Sequence, residues 1–206
     1  MIYVILGGPA SGKGTRAKIL CEVLGIPHIS TGEILRKVAE EDEIIREKLT
    51  NGVLISDDFI TALLYARLCK DDCSNGCVID GYPRTLNQAF LLDNLLEKLG
   101  TKLDGVIQLT VLDEVVFDRI LGRCECSVCG QIYGNGIQPK VVNICNTCGG
   151  SLVKRSDDNE ETLKSRINVY KEKSKPILEY YKGDGLVITI DASSNPEKVL
   201  SAIDFL

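Results

Sequence analysis

A glycine-rich loop directly after the first apolar run constrains this fold more than any other feature. The run 2–6 is followed by GGPASGKGT at positions 7–15, and a segment with helical character continues over 16–24. Glycines let such a loop curl so that several backbone N–H groups point inward, and the helix N-terminus after it favours an anion. Because strand, loop, lysine and helix occur in the required order, we predict a phosphate-binding loop formed by Ala10, Ser11, Gly12, Lys13, Gly14 and Thr15.

Four further apolar runs, at 26–29, 77–79, 106–111 and 186–190, predict the other buried strands. They lack polar alternation, as expected for a parallel sheet covered on both faces, and segments with helical spacing separate them. The sequence therefore predicts an α/β fold with helices on both faces of a P-loop sheet. Two stretches interrupt this rhythm: a charged helical insertion at 30–59 and a glycine-rich insertion at 122–158, which leave 1–29, 60–121 and 159–206 as the core.

Charge and composition exclude several classes of protein. The formal net charge of −5 argues against binding nucleic acid through bulk electrostatics. No apolar run approaches the roughly 20 residues that span a bilayer, and the N-terminus lacks the basic region and cleavage site of a signal peptide. Nine cysteines, an odd number, do not predict a disulfide framework. We expect a protein of the reducing cytoplasm that binds neither a membrane nor nucleic acid.

Four of the cysteines have the spacing of a metal site. Two C-x-x-C pairs are separated by fifteen residues, and both lie in the insertion 122–158. Two turns that each present two thiolates predict a tetrahedral structural zinc site, although the spacing does not distinguish zinc from iron. The predicted ligands are Cys126, Cys129, Cys145 and Cys148.

Four further motifs identify the chain as similar to the adenylate kinase family, within the nucleoside monophosphate kinases. They are STGEILR at 30–36, DGYPRT at 80–85 with a glutamine at 88, RILGR at 119–123, and RSDD at 155–158 followed by Glu161, Thr162 and Arg166. Their order and spacing extend the resemblance over nearly the whole chain. The resemblance implies Mg²⁺-dependent phosphoryl transfer between ATP and AMP, a helical flap over the monophosphate, and a lid over ATP.

The resemblance also implies roles for individual residues. The residues expected to surround the transferring phosphates are Lys13, Arg119, Arg123, Arg155 and Arg166. Ile132, Tyr133 and Ser194 are expected to meet the adenine of ATP, with the Tyr133 ring covering it. Asp80 is expected to hold Mg²⁺, directly or through water. The implied AMP contacts are Thr31, Arg36, Val53, Leu54, Ile55, Gly81, Tyr82, Pro83, Arg84, Gln88, Arg155 and Arg166.

Three alternatives remain at this point. Thr31-Gly32 and Gln88 favour AMP over the pyrimidine monophosphates, but a UMP or CMP kinase is a near alternative. A zinc-ribbon module that binds nucleic acid or protein would need a basic ribbon. A nucleotide-gated switch would leave Arg36, Arg84 and Gln88 unexplained. The ribbon lacks a strong positive charge, because residues 122–158 carry four basic against three acidic residues, namely Arg123, Lys140, Lys154 and Arg155 against Glu125, Asp157 and Asp158.

Three smaller expectations concern local structure. The only histidine, His28, lies in a strand-like run and is predicted to be a core residue. Asp158 followed by Glu161 resembles the start of a helix. Ala10 occupies a loop position at which the family usually has glycine, and it is expected to restrict the backbone. By the same resemblance, the protein is expected to be a monomer.

Overall fold

The computed structural model describes residues 1–51, 53, 55–134, 137–155, 158–193 and 195–205. Its main sheet has five parallel strands in the order β2-β3-β1-β4-β8. These strands are β1 (Ile2–Gly7), β2 (His28–Ser30), β3 (Cys77–Asp80), β4 (Gly105–Thr110) and β8 (Val187–Asp191). The predicted α/β fold is confirmed, and each predicted strand lies within two residues of an observed one.

Helices follow the strands and cover both faces of the sheet. They are α1 (Lys13–Leu24), α2 (Thr31–Glu41), α3 (Glu43–Thr50), α4 (Asp57–Leu68), α5 (Leu86–Lys98), α6 (Asp113–Leu121) and α7 (Glu160–Gly183). Short 3₁₀ segments occur at Asp71–Cys73 and Pro196–Phe205. Within the described residues, no helix combines the length and apolar character needed to cross a bilayer.

The strand β1 divides the hydrophobic core into two layers. Ile2, Val4 and Leu6 pack with residues of α2, α4, α5 and α7, whereas Tyr3 and Ile5 pack with residues of α1. Successive side chains of a strand point to opposite faces, so a strand that is apolar at every position must be covered on both sides. This arrangement places the carboxyl ends of β1, β2 and β3, with the loops after them, at one edge of the sheet.

The insertion 122–158 forms a separate antiparallel sheet in the order β6-β5-β7. Its strands are β5 (Cys124–Cys126), β6 (Ile132–Tyr133) and β7 (Leu152–Val153). Its buried apolar cluster among the described residues consists of Cys126, Tyr133 and Cys145, with Cys124 and Leu152 packed beside them. So small a cluster provides little hydrophobic stabilisation on its own.

The helix α7 begins one residue later than the sequence pattern suggests. Asn159 is its N-cap, and the Asn159 side chain accepts a hydrogen bond from the backbone N–H of Thr162. The prediction that Asp158 starts this helix is therefore wrong. The Asp158 carboxylate instead accepts hydrogen bonds from Arg123 across 35 positions of sequence. A local capping pattern could not reveal this longer-range ion pair.

Candidate functional site

A cleft of about 670 Å³ lies over the carboxyl edge of the main sheet. It is lined by the loop after β1, the start of α2, the loop after β3, the end of α6, strand β6 and α7. Most of the predicted phosphate- and nucleotide-binding residues line it. They are Ala10, Gly12, Lys13, Gly14, Thr15, Arg36, Asp80, Gly81, Arg84, Arg119, Arg123, Ile132, Tyr133, Arg155 and Arg166.

The glycine-rich loop adopts a backbone that ordinary residues rarely take. Ala10 has a φ of +51° and Gly12 a φ of +80°, both in the left-handed region that glycine favours. The expected restriction at Ala10 thus falls on a residue with an unusual backbone conformation. Ser11 is fully buried, and an added Cβ at Gly7 would lie only 2.5 Å from its hydroxyl oxygen. Tight packing under the loop therefore requires glycine at position 7.

Lys13 is folded back onto its own loop. Its Nζ donates to the carbonyl oxygens of Gly7 at 2.9 Å and Gly8 at 2.7 Å. Burial lowers the pKa of Lys13 to about 8; Asp80 opposes this shift, while the nearby guanidinium groups of Arg84 and Arg166 add to it. A bound polyphosphate would favour the charged form and raise this pKa again.

This lowered pKa predicts proton uptake when ATP binds above pH 8. Above pH 8, Lys13 of the nucleotide-free protein is partly deprotonated. The affinity of the protein for ATP should therefore fall by up to about tenfold for each unit by which the pH rises. Isothermal titration at pH 8.5 in two buffers of different ionisation enthalpy measures the uptake. Lys13→Arg is the control, because arginine keeps its proton and should take up none at this position. Equal binding enthalpies for the unmodified protein in the two buffers would contradict the prediction.

The arginines of the cleft come from separate segments and are already oriented. Arg119 donates to the carbonyl oxygens of Ala10 at 3.4 Å and Ala192 at 3.0 Å, which ties α6 to the phosphate loop. Arg123 is paired with Asp158, and Arg155 with Glu125. Burial, with Arg36 and Arg123 nearby, lowers the pKa of Arg155. Because like charges are gathered in one cleft, a multiply charged anion would relieve their repulsion.

Asp80 ends β3 next to His28. The two side chains approach to 3.4 Å between His28 Nε2 and Asp80 Oδ2. Burial acts to raise the pKa of Asp80, but His28, Lys13 and Arg84 together lower it below its usual value. The prediction that His28 is only a core residue is wrong: its side chain is 13% exposed and lines the cleft. Its strand-like neighbours did not reveal this, because the contact depends on strand pairing: the parallel register sets His28 opposite Val78, two residues before Asp80, and so on the same face of the sheet as Asp80.

A second cavity, of about 490 Å³, lies beyond Arg84. It shares Gly32, Arg36, Arg84 and Arg166 with the first cleft. Apolar and polar side chains of α2 and α3 form the rest of its wall, together with Val53; these are Leu35, Ala39, Glu40, Arg46, Leu49 and Thr50. The two cavities therefore meet at a group of arginines.

Several predicted monophosphate contacts line neither the main cleft nor this second cavity. Thr31 is buried and its Oγ1 donates to the Asp80 carbonyl at 3.1 Å. Tyr82 and Ile55 belong to the hydrophobic core, and Pro83 lines a smaller cavity with Arg84 and Arg166. Gln88 is 2% exposed, and its Oε1 accepts from the backbone N–H of Arg84 at 2.7 Å. The predicted residues Leu54 and Ser194 lie outside the described residues.

The four predicted metal ligands converge in the small sheet. The sulfur atoms of Cys126, Cys129, Cys145 and Cys148 lie within 4.8 Å of one another, with two of the S···S distances at 3.4 and 3.6 Å. Backbone N–H groups of Val128 and Thr147 donate to two of these sulfur atoms. Four converging sulfur atoms, two of which accept amide hydrogen bonds, suit a tetrahedral thiolate metal site.

Tyr133 belongs mainly to this cysteine cluster. Its hydroxyl donates to the Cys145 sulfur at 3.4 Å and lowers the pKa of that thiol to about 5, with backbone N–H groups adding to the effect. The residue is 3% exposed. The expectation that its ring covers adenine therefore does not fit this arrangement, because the ring is packed inside the small sheet. The residue still lines the main cleft.

The fold and the site together define a P-loop protein built to bind phosphorylated ligands at two adjoining cavities. The family model described as adenylate kinase matches residues 5–186 of the chain. A relative from Fervidobacterium nodosum named adenylate kinase is 43% identical, covering 98% of this chain and 95% of its own. Relatives of the same name from Caldicellulosiruptor saccharolyticus and Methanosarcina barkeri are 41% and 39% identical, each also covering 98% of this chain, and 99% and 96% of their own.

The chain belongs to the adenylate kinase family. It is a phosphotransferase of the nucleoside monophosphate kinase type, which confirms the resemblance identified in its sequence motifs.

Proposed function

We propose that this protein transfers the γ-phosphoryl group of Mg·ATP reversibly to AMP, giving two molecules of ADP. The observation that carries the proposal is the meeting of two cavities at Arg36, Arg84 and Arg166, with Lys13 of the phosphate loop on one side. Such a site can hold two nucleotides with their phosphates adjacent. One cavity has the phosphate loop, and the other has the mixed wall expected around a nucleoside.

On the first side, the phosphate loop and α1 would hold the phosphates of ATP. Backbone N–H groups of the loop and the helix N-terminus favour anions, and Lys13 would leave its two carbonyl partners for a phosphate oxygen. Arg119 is already anchored beside the loop. Ile132 and the backbone at Tyr133 would approach the adenine, together with Ser194, which follows β8 in the sequence.

On the second side, Arg36 and Arg84 would hold the phosphate of AMP. An oxygen of that phosphate attacks the γ-phosphorus as the bond to the β–γ bridging oxygen breaks, and ADP leaves. The transition state spreads negative charge over the transferring group and requires little covalent help. Arg123, Arg155 and Arg166 would stabilise that charge, since a guanidinium can donate two parallel hydrogen bonds to an oxyanion.

The chain also offers positions for two metals. Asp80 would hold Mg²⁺, directly or through water. Its carboxylate lies close to the phosphate loop, because an added Cβ at Gly14 would lie 3.7 Å from Asp80 Oδ2. When bound, Mg²⁺ neutralises charge on the ATP phosphates. The four cysteines would hold zinc, with iron as the alternative, and full thiolate ligation makes that metal structural.

We further propose that residues 30–59 and 122–158 move against the core 1–29, 60–121 and 159–206. The ion pairs Arg123–Asp158 and Arg155–Glu125 bear on the second segment alone, since all four residues lie within 122–158. Both arginines line the cleft, and each would exchange its carboxylate for phosphate when nucleotides bind. Closure over the phosphates would exclude water and so protect ATP from hydrolysis. The protein would act as a cytoplasmic monomer without nucleic-acid or membrane partners.

A substrate panel tests the proposed function. Purified protein with Mg·ATP is assayed for ADP formation with AMP, UMP, CMP and GMP. We expect kcat/KM for AMP to exceed the others by about 100-fold or more, since buried polar groups reject a mismatched base edge strongly. A preference for UMP or CMP would be compatible with the proposed phosphate-binding residues but would contradict the assignment of Thr31 and Gln88 as AMP contacts. Inactivity with all four, together with tight RNA binding, would favour the zinc-ribbon alternative.

A further inference from the structure

The carboxylate of Asp57 collects hydrogen bonds from three side chains of one short segment. Asp57 opens α4, and the donors lie at the start of α5, some 30 positions later. Gln88 Nε2 donates to Oδ1 at 2.7 Å, while Asn87 Nδ2 at 2.8 Å and Thr85 Oγ1 at 3.1 Å donate to Oδ2. A partly buried carboxylate therefore fixes the side chain that the monophosphate site is proposed to use for its base.

These partners determine which way the Gln88 amide points. A carboxylate only accepts hydrogen bonds and a backbone N–H only donates. The amide nitrogen must therefore face Asp57, and the amide oxygen must face the Arg84 N–H, as observed at 2.7 Å each. The reversed amide would place its oxygen against the carboxylate and its NH₂ against the N–H. Both contacts are unfavourable in a side chain that is 2% exposed.

The fixed amide retains one hydrogen on Nε2 and one acceptor position on Oε1. This pair complements the adenine edge, where N1 accepts and the 6-amino group donates. A 6-oxopurine has the opposite pattern, because its N1–H donates and its O6 accepts. A glutamine that is free to turn over can match either base. What makes Gln88 selective is the group that prevents it from turning.

We propose that Asp57 is a specificity-determining residue of this enzyme: it positions the Gln88 amide for a 6-aminopurine monophosphate and against a 6-oxopurine. It acts through Gln88 and does not itself contact the substrate. This inference rests on the proposed binding of AMP at Gln88. A purely structural role, as a tie between α4 and α5, would affect all substrates alike, so the ratio between two bases separates the roles.

Asp57→Asn is the informative substitution, tested with AMP and with IMP, which differs from AMP at the 6-position and the N1 proton. The new amide has the same shape but can both donate and accept, so Gln88 can turn over. We expect kcat/KM for AMP to fall about tenfold and the IMP/AMP ratio of kcat/KM to rise about tenfold or more. Asp58→Asn is the matched control: it removes the same charge from the next, exposed residue of the same helix turn, and the ratio should stay unchanged.

A double-mutant cycle with Gln88→Ala shows whether the effect passes through Gln88. In the Gln88→Ala background, Asp57→Asn should leave the IMP/AMP ratio unchanged within about twofold. Asp57→Ser replaces Asp57→Asn if the latter does not fold, because a hydroxyl also donates or accepts. If Asp57→Asn lowers kcat/KM equally for AMP and IMP while the unmodified protein prefers AMP, the positioning role is overturned and the proposed function stands. If the unmodified protein shows no preference for AMP, the proposed function itself fails.

Discussion

Replacing Arg123 by alanine is expected to lower kcat by about 10³-fold or more. Arg123 lies between α6 and β5 and lines the cleft, and its guanidinium is paired with Asp158. Its contribution should therefore arise only when the charge of the transition state draws it from that partner. An interaction of this kind changes kcat more than the binding of either substrate.

The measurement is steady-state kinetics with each nucleotide varied in turn, combined with thermal unfolding. Arg67→Ala is the control, since it also breaks an arginine–aspartate pair, with Asp72, but Arg67 does not line the cleft. The kcat of Arg123→Lys should lie between those of Arg123→Ala and Arg67→Ala, because lysine keeps the charge but lacks the planar guanidinium. A folded Arg123→Ala protein with full kcat would remove Arg123 from the proposed mechanism.

The sheet could be predicted from the sequence because its strands are buried on both faces. Strand β1 is apolar at every position from Ile2 to Leu6, and its two sets of side chains enter two separate core layers. Such a run has few alternative structures in a chain with helical spacing between the runs. Boundaries are harder to predict: the proposed limit at residue 59 lies inside α4, which begins at Asp57.

The phosphate loop and the arginines of the cleft could also be located, because each belongs to a motif with a fixed chemical purpose. Their partners could not be predicted. Arg123 and Asp158 are 35 positions apart, and Asp57 and Gln88 are 31 apart. Nothing local marks Asp57 among 29 acidic residues. Such pairs depend on how helices and strands pack against one another, whereas a local sequence pattern predicts only the individual helix, strand or loop.

The surroundings of Tyr133 also depend on packing and could not be predicted from the sequence. The resemblance assigned its ring to a nucleotide, whereas the structure packs the ring against Cys145. Tyr133 is the only aromatic residue in the sequence 122–158, and its ring is part of the small buried cluster that contains Cys126 and Cys145. The Tyr133 ring therefore packs inside the small sheet, and only the small exposed part of the residue lines the cleft.

Removing the metal is the second change with a large expected effect. We expect Cys145→Ser to abolish stoichiometric metal binding and to unfold residues 124–153 while the main sheet stays folded. Structural zinc sites contribute about 10–16 kcal/mol of apparent binding free energy, and the buried cluster here is too small to replace it. Hydrogen exchange should show loss of amide protection in β5, β6 and β7, with protection of β1 and β4 retained.

The same variant should lower kcat by about 100-fold, because the small sheet connects two arginines of the cleft. Arg123 directly precedes β5 and Arg155 follows β7, and small displacements of catalytic groups are costly. Cys124→Ser is the control, since Cys124 packs beside the cluster but is not among the four converging sulfur atoms. Elemental analysis of the unmodified protein identifies zinc or iron. Full activity and an intact small sheet in metal-free Cys145→Ser would show that this segment folds without a metal, and the metal site would then have to be abandoned.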